Sequence, residues 1–184
     1  MFAGMDIDIL SLNDFPGFPD IVEDGNNFYE NAFKKAKTVA QATGENALAD
    51  DSGLEVEALG GAPGIYSARY AGEKADDKQN ITKLLAEMKG IPAEKRKAAF
   101  RCILVMCTKE GRCEAFEGRW EGFISESPVG EGGFGYDPVF YLPDKGVTVA
   151  QLLPEIKNML SHRAQAFIQL KKELEKEYNC LNGA

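Results

Sequence analysis

Apolar and polar positions alternate along some stretches of this chain and recur at helical spacing along others, and the change of period marks the elements. Ile7 and Ile9 alternate with Asp6 and Asp8, which predicts a first strand over Asp6 to Leu10. The Pro/Gly/Asp-rich stretch from Asn13 to Asn27 then reads as a loop. Phe28, Ala32, Ala36, Val39 and Ala40 fall on one face of a helix, with Asn26 or Asn27 available as N-cap and Gly44 as a stop. Ala47 to Ala49 is short and apolar, a buried strand that delivers Asp50 and Asp51 at its end. Leu54 to Leu59 alternates as a further strand, and Gly53 between the two allows a turn.

After Gly60-Gly61-Ala62-Pro63-Gly64 the chain turns, and Asp76 can cap a helix whose apolar face is Ile81, Leu84, Leu85 and Met88. Gly90 to Lys97 is a linker. Ala98 to Thr108 and Arg112 to Ser125 are two long strand candidates around Lys109-Glu110-Gly111, which predicts an antiparallel hairpin. A glycine-rich loop ends in Asp137, and Pro138 to Leu142 resumes as a short strand. Ser161 caps a last helix with a predicted buried stripe of Ala164, Phe167, Ile168, Leu174 and Tyr178. Strand, helix, strand, strand, helix, hairpin, strand, helix is the order of an α/β domain with a mixed sheet, and does not match regular βαβ alternation.

At 184 residues, 44% hydrophobic, the chain is long enough to bury one substantial core, so a single domain over 1–184 is expected. Its net charge of −8 argues against nucleic acid or an anionic membrane as partner. Any anionic ligand must instead be held locally by a few cations, amides or a metal. No apolar run approaches a membrane span and the N-terminal residues do not resemble a leader, which points to a soluble, cytoplasmic protein. Cys102, Cys107, Cys113 and Cys180 form no C-x-x-C pair and have no companion histidines, so they read as reduced thiols. With one histidine, His162, and no G-x-S-x-G elbow, a serine hydrolase is not indicated.

Three stretches could carry chemistry. Asp50 and Asp51, followed by Ser52, place like charges side by side, a cost that a hard cation relieves; an Asx-turn with exposed acids is the plain alternative. Glu30 is by itself an ordinary first-turn glutamate and gains interest only beside that pair. Gly130-x-Gly132-x-x-Gly135 formally matches a dinucleotide fingerprint, but a strand rather than a helix follows it, so a Rossmann site is rejected. Phe134-Gly135-Tyr136-Asp137 offers two aromatic faces and a carboxylate, suited to a base pocket or to a hairpin core. Ser161-His162-Arg163 opens the last helix with Lys157 just upstream, at a terminus that favours negative or polar ligands.

Taken together, Phe28-Tyr29-Glu30-Asn31-Ala32, Ala49-Asp50-Asp51-Ser52-Gly53-Leu54, Gly60 through Tyr70, Gly133-Phe134-Gly135-Tyr136-Asp137-Pro138 and Ser161-His162-Arg163 closely resemble the inosine triphosphate pyrophosphatase family, in order along nearly the whole chain. The resemblance implies a bilobed fold with an elongated sheet flanked by helices. It also implies a cytoplasmic homodimeric hydrolase of nucleotide metabolism that uses Mg²⁺ to convert ITP, dITP and XTP to monophosphate and pyrophosphate. By position it makes Asp51 the general base and a metal ligand, Asp50 and Glu30 further metal ligands, and Ser52 a substrate contact. Phe134, Gly135, Tyr136, Asp137, Lys157, His162 and Arg163 become the residues around the base. Relative to the family the chain is expected to be short at its N-terminus, lacking a first strand and a Ser/Thr-x-Asn-x-x-Lys phosphate loop; Ser11-Leu12-Asn13 echoes that loop, but Pro16 holds the lysine position. Gln151 and Ile156 stand where acids are common in the family. Two other readings stay open, a Maf-like house-cleaning pyrophosphatase and a nucleotide-binding protein without turnover.

Overall fold

The computed structural model describes residues 7–182. Helix α1 (Phe28–Thr43) starts where the Asn27 side chain accepts from the Glu30 amide and stops at Gly44, whose φ of 71° ends the helical ladder. It is followed by β1 (Ala47–Val56), α2 (Asp77–Glu87), β2 (Lys97–Cys107), β3 (Cys113–Ile124), β4 (Phe140–Leu142), β5 (Val147–Thr148), α3 (Pro154–Leu160) and α4 (His162–Asn182). The five strands form one sheet in chain order, each antiparallel to the next, with helices packed against it. No helix among the described residues is long and apolar enough to cross a membrane.

Register decides what each face carries. Asp51 lies opposite Ile103 and Glu117, and Ala47 opposite Cys107 and Cys113, so odd-numbered residues of the three long strands share one face and even-numbered ones the other. On the odd face Ala47, Ile103, Val105 and Cys107 pack against Phe28, Ala32, Ala36 and Ala40 of α1, whose alanines let the helix lie close. On the even face Cys102 and Leu104 pack against Ala166 and Leu170 of α4. Farther along that face Leu54, Val56, Phe100 and Ile124 join Ile81, Leu84 and Met88 around α2, together with Val139, Phe140 and Leu142.

Several sequence-based expectations change. Asp6 lies outside the described residues, and residues 7–10 form no strand, with Ile7, Ile9 and Leu10 exposed: alternation makes a strand only where a neighbour completes its ladder. Ala47–Ala49 and the start of Leu54–Leu59 are one continuous strand paired with β2 throughout, and the chain leaves it at Glu57 in a 3-10 turn. Gly53 is therefore not a turn residue; a Cβ there would lie 2.5 Å from the Gly64 carbonyl oxygen and 2.6 Å from Ser67 Oγ, so the glycine serves close packing. Of the predicted α4 stripe, Ala164 is buried and Phe167 and Leu174 pack against the cluster of Cys102, Leu104, Ala166 and Leu170, whereas Ile168 and Tyr178 are 51% and 62% exposed; His162, Ala166 and Leu170, spaced by four, complete the buried face where α4 comes close to Gly118. Strand β5 and helix α3 carry no periodic apolar signal; α3 begins at Pro154 and leaves Leu153, Ile156 and Met159 exposed. Finally, Cys107 and Cys113 are not separate thiols. The tight hairpin sets them directly opposite each other, Cα atoms 4.1 Å apart, joined as a disulfide, while Cys102 is free and buried.

Candidate active site

Asp51 is a buried acid held by several neighbours. β1 turns it towards α1, where it is only 9% exposed and accepts from Asn31 Nδ2 at 3.0 Å. Asn31 Oδ1 in turn accepts from the Gly25 amide at 2.8 Å, which ties the preceding loop to the helix. Lys35, one turn farther along α1, places its ammonium 3.5 Å from Asp51 Oδ1 and 3.0 Å from Glu23 Oε1. Burial raises the Asp51 pKa above the usual carboxylate range and nearby Glu23 adds to the rise; the Asn31 bond and Lys35 pull the other way. Lys35 also borders a cleft of about 550 Å³ lined by the loop from Leu12 to Ile21.

A second set lies on the other face. Asp50, one residue away on β1, accepts from Ser52 Oγ at 2.8 Å and from Arg163 Nε at 3.1 Å. Phe134 is 59% exposed, with Lys157 Nζ 4.2 Å and the Arg163 guanidinium 5.6 Å from its ring centre, a cation-flanked aromatic face. Lys157 also ion-pairs with buried Asp137, which accepts from the Phe134 amide at 3.0 Å. His162 is buried and stacked on Phe100 at 5.0 Å; its Nδ1 has no hydrogen-bond partner. Burial first, then Arg163 and Lys157, depress its pKa to about 3, so the ring is neutral. Tyr136 departs from expectation. Its ring is core and its hydroxyl donates to the Ser67 carbonyl at 2.9 Å, so Phe134 alone of the two presents an aromatic face.

The expected triad of Glu30, Asp50 and Asp51 does not converge. Successive strand residues point to opposite faces, which sends Asp50 to Arg163 and Asp51 to Lys35. Glu30 spends its oxygens on Asn26 and Asn27, accepting from the Asn26 amide at 2.8 Å and Asn27 Nδ2 at 2.9 Å, as a helix-entry residue does. No group of three or more His, Cys, Asp and Glu able to hold a metal occurs among the described residues. Asp51 and Glu23 are oxygen donors of the kind a hard divalent cation takes, and the Lys35 ammonium sits between them. The sequence reading missed Glu23 and Lys35. A signal for Lys35 existed, since Asn31 is a polar residue buried among the apolar positions of α1 and Lys35 is one turn beyond it; Glu23 sits in an irregular loop and has none.

Asp50 and Asp51 are neighbours on β1, an edge strand of the described sheet, so the set around Arg163 and the set around Lys35 lie on opposite faces of one strand. Comparison with known proteins places the chain among relatives. The Ham1 family matches residues 1–173. The chain is 53% identical to the dITP/XTP pyrophosphatase of Geobacter sulfurreducens over 171 residues, 93% of this chain and 86% of that protein. It is 49% identical to the dITP/XTP pyrophosphatase of Geobacillus kaustophilus, across 95% of this chain and 86% of the relative. Among solved structures, the Ham1 protein of Staphylococcus aureus superposes with a TM-score of 0.86 at 44% identity, covering 90% of this chain and 85% of that one. With the motifs in order, the fold matched and the similarity spanning nearly its whole length, this chain belongs to the Ham1 family.

Proposed function

We propose that the chain hydrolyses non-standard purine nucleoside triphosphates (ITP, dITP and XTP) to the nucleoside monophosphate and pyrophosphate. The observation that carries this reading is the split site around β1, an aromatic face with flanking cations on one side and a buried carboxylate beside a lysine on the other. The relatives named dITP/XTP pyrophosphatases support the substrate class.

The purine stacks on Phe134 under Lys157 and Arg163, whose donors favour a 6-oxo over a 6-amino group. The triphosphate passes over the rim of β1 towards Lys35, whose charge stabilises it. Asp51, held beside Asn31 and Lys35, takes the proton of the attacking water. The water oxygen bonds to the α-phosphorus as the α,β-bridging P–O bond breaks and pyrophosphate leaves. Asp51 and Glu23 would hold Mg²⁺, which supplies neutralisation of charge on the phosphates. Asp50 acts from the other face, holding Arg163 beside the base rather than binding metal. The enzyme is read as a homodimer, which gel filtration of the purified chain tests.

Hydrolysis in ¹⁸O-labelled water is the decisive experiment. Attack at the α-phosphorus puts the label in the monophosphate and none in pyrophosphate, and ITP and XTP are turned over far faster than ATP. ATP cleaved equally well, or label in the pyrophosphate, would overturn the assignment; a panel favouring pyrimidine nucleotides would point to Maf-like chemistry instead.

A further inference from the structure

The loop that carries Phe134 is fastened by three side chains, and two are buried. Asp137 accepts from the Phe134 amide and pairs with Lys157, and the Tyr136 hydroxyl reaches the Ser67 carbonyl. The third comes from a distant element. Asp77, in the first turn of α2, accepts from the Gly135 amide at 2.6 Å, across 58 residues of sequence. Gly135 has a φ of 59°, and its amide is donated to Asp77 rather than to a carbonyl of its own loop. Asp77 is exposed, and the capping of α2 belongs to its neighbour Asp76, whose side chain accepts from the Gln79 amide at 2.8 Å. The capping of the helix therefore does not account for the Asp77 carboxylate, which is aimed instead at the backbone between Phe134 and Tyr136.

We propose that Asp77 is a positioning residue for the nucleobase: by fixing the Gly135 amide it holds the Phe134 ring in register with Lys157 and Arg163 and so sets affinity for the base and discrimination between bases. This rests on the nucleotide reading above. Asp77 touches neither Asp51 nor Lys35, so it acts on binding and leaves the hydrolytic step alone. An unfastened loop lets Phe134 sample other positions, and an ordering cost is then added to every binding event.

The test compares Asp77→Ala with Asp77→Asn, which loses the charge but keeps an acceptor oxygen. In Asp77→Ala the KM for ITP rises about tenfold while kcat stays within about twofold of wild type. Competitive inhibition by IMP weakens in parallel, inhibition by pyrophosphate does not change, and the preference for ITP over ATP narrows. Asp77→Asn restores most of the IMP affinity. Both variants lose the same favourable charge at the start of α2, so a purely helical role predicts equal small losses of melting temperature and unchanged inhibition constants, which would overturn the proposal. Amide hydrogen exchange provides an arm independent of turnover: Gly135 exchanges faster in Asp77→Ala than in wild type, and an unchanged rate also refutes the tether. A wild-type chain without purine triphosphate turnover would remove the assigned activity and leave the exchange result to judge Asp77.

Discussion

Replacing Gly118 with alanine should break the candidate site without touching a charged group. Gly118 lies on β3 where α4 begins, and a Cβ there would stand 1.8 Å from the His162 carbonyl oxygen, 2.7 Å from its carbonyl carbon and 3.0 Å from the Ala166 amide. All three are backbone atoms of a helix, so no rotamer change relieves the clash. An ordinary carbon–oxygen contact is about 3.3 Å, so α4 must withdraw by roughly 1.5 Å at its first turn. That parts Ala166 and Leu170 from Cys102 and Leu104, all fully buried, and overpacking of this kind costs about 1–3 kcal/mol or somewhat more. For a chain of this size each kcal/mol lowers the melting temperature by about 2–4 °C, so a fall of roughly 5–10 °C is expected. The same movement carries Arg163 off Asp50 and Phe134, and displacement of about 1 Å at a site costs on the order of a hundredfold in kcat/KM. Thermal melts by circular dichroism and steady-state ITP hydrolysis check both. Because the clash is with backbone, adding Ala166→Gly should not rescue the variant. A Gly118→Ala protein that melts and turns over like wild type would refute the close seating of α4 on which the even-face half of the site depends.

Other outcomes follow from the same geometry. Asp51→Asn lowers kcat by about a thousandfold, as loss of a general base does, with little effect on IMP binding; Lys35→Ala weakens pyrophosphate inhibition while sparing that by IMP, and the reverse pattern would detach Lys35 from the phosphates. His162 is held neutral with a pKa near 3, below its value in the unfolded chain, so the unfolded state binds the extra proton first and stability falls as pH drops from about 6.5 towards 3. Urea unfolding across that range should show a slope that is shallower in His162→Gln; an identical slope in the variant contradicts a buried neutral ring. The disulfide closes a loop with a sequence separation of 6, and a loop that short corresponds to about 2 kcal/mol. Reductant should therefore lower the melting temperature of wild type but not of Cys113→Ser, and the denatured wild type should titrate with two fewer thiols before reduction than after; equal counts would show that the bridge does not form.

The helices α1 and α2, the β2–β3 hairpin and the capping residues Asn27, Asp76 and Ser161 are legible in the sequence because each depends on neighbours within one turn or one hairpin. The motif residues are legible too, as types and positions. What local pattern cannot convey is which way each points. Asp50 and Asp51 are adjacent in sequence and suggest one acidic cluster, but an unbroken strand passes through them and sends them to opposite faces. Glu23 and Lys35 meet only because α1 packs on the sheet beside Asp51, and Asp77 meets Gly135 only because α2 comes to lie beside that loop. Composition and period report interactions between near neighbours; a candidate site on the two faces of an edge strand is made by long-range packing, and the folded chain alone decides which residues it brings together.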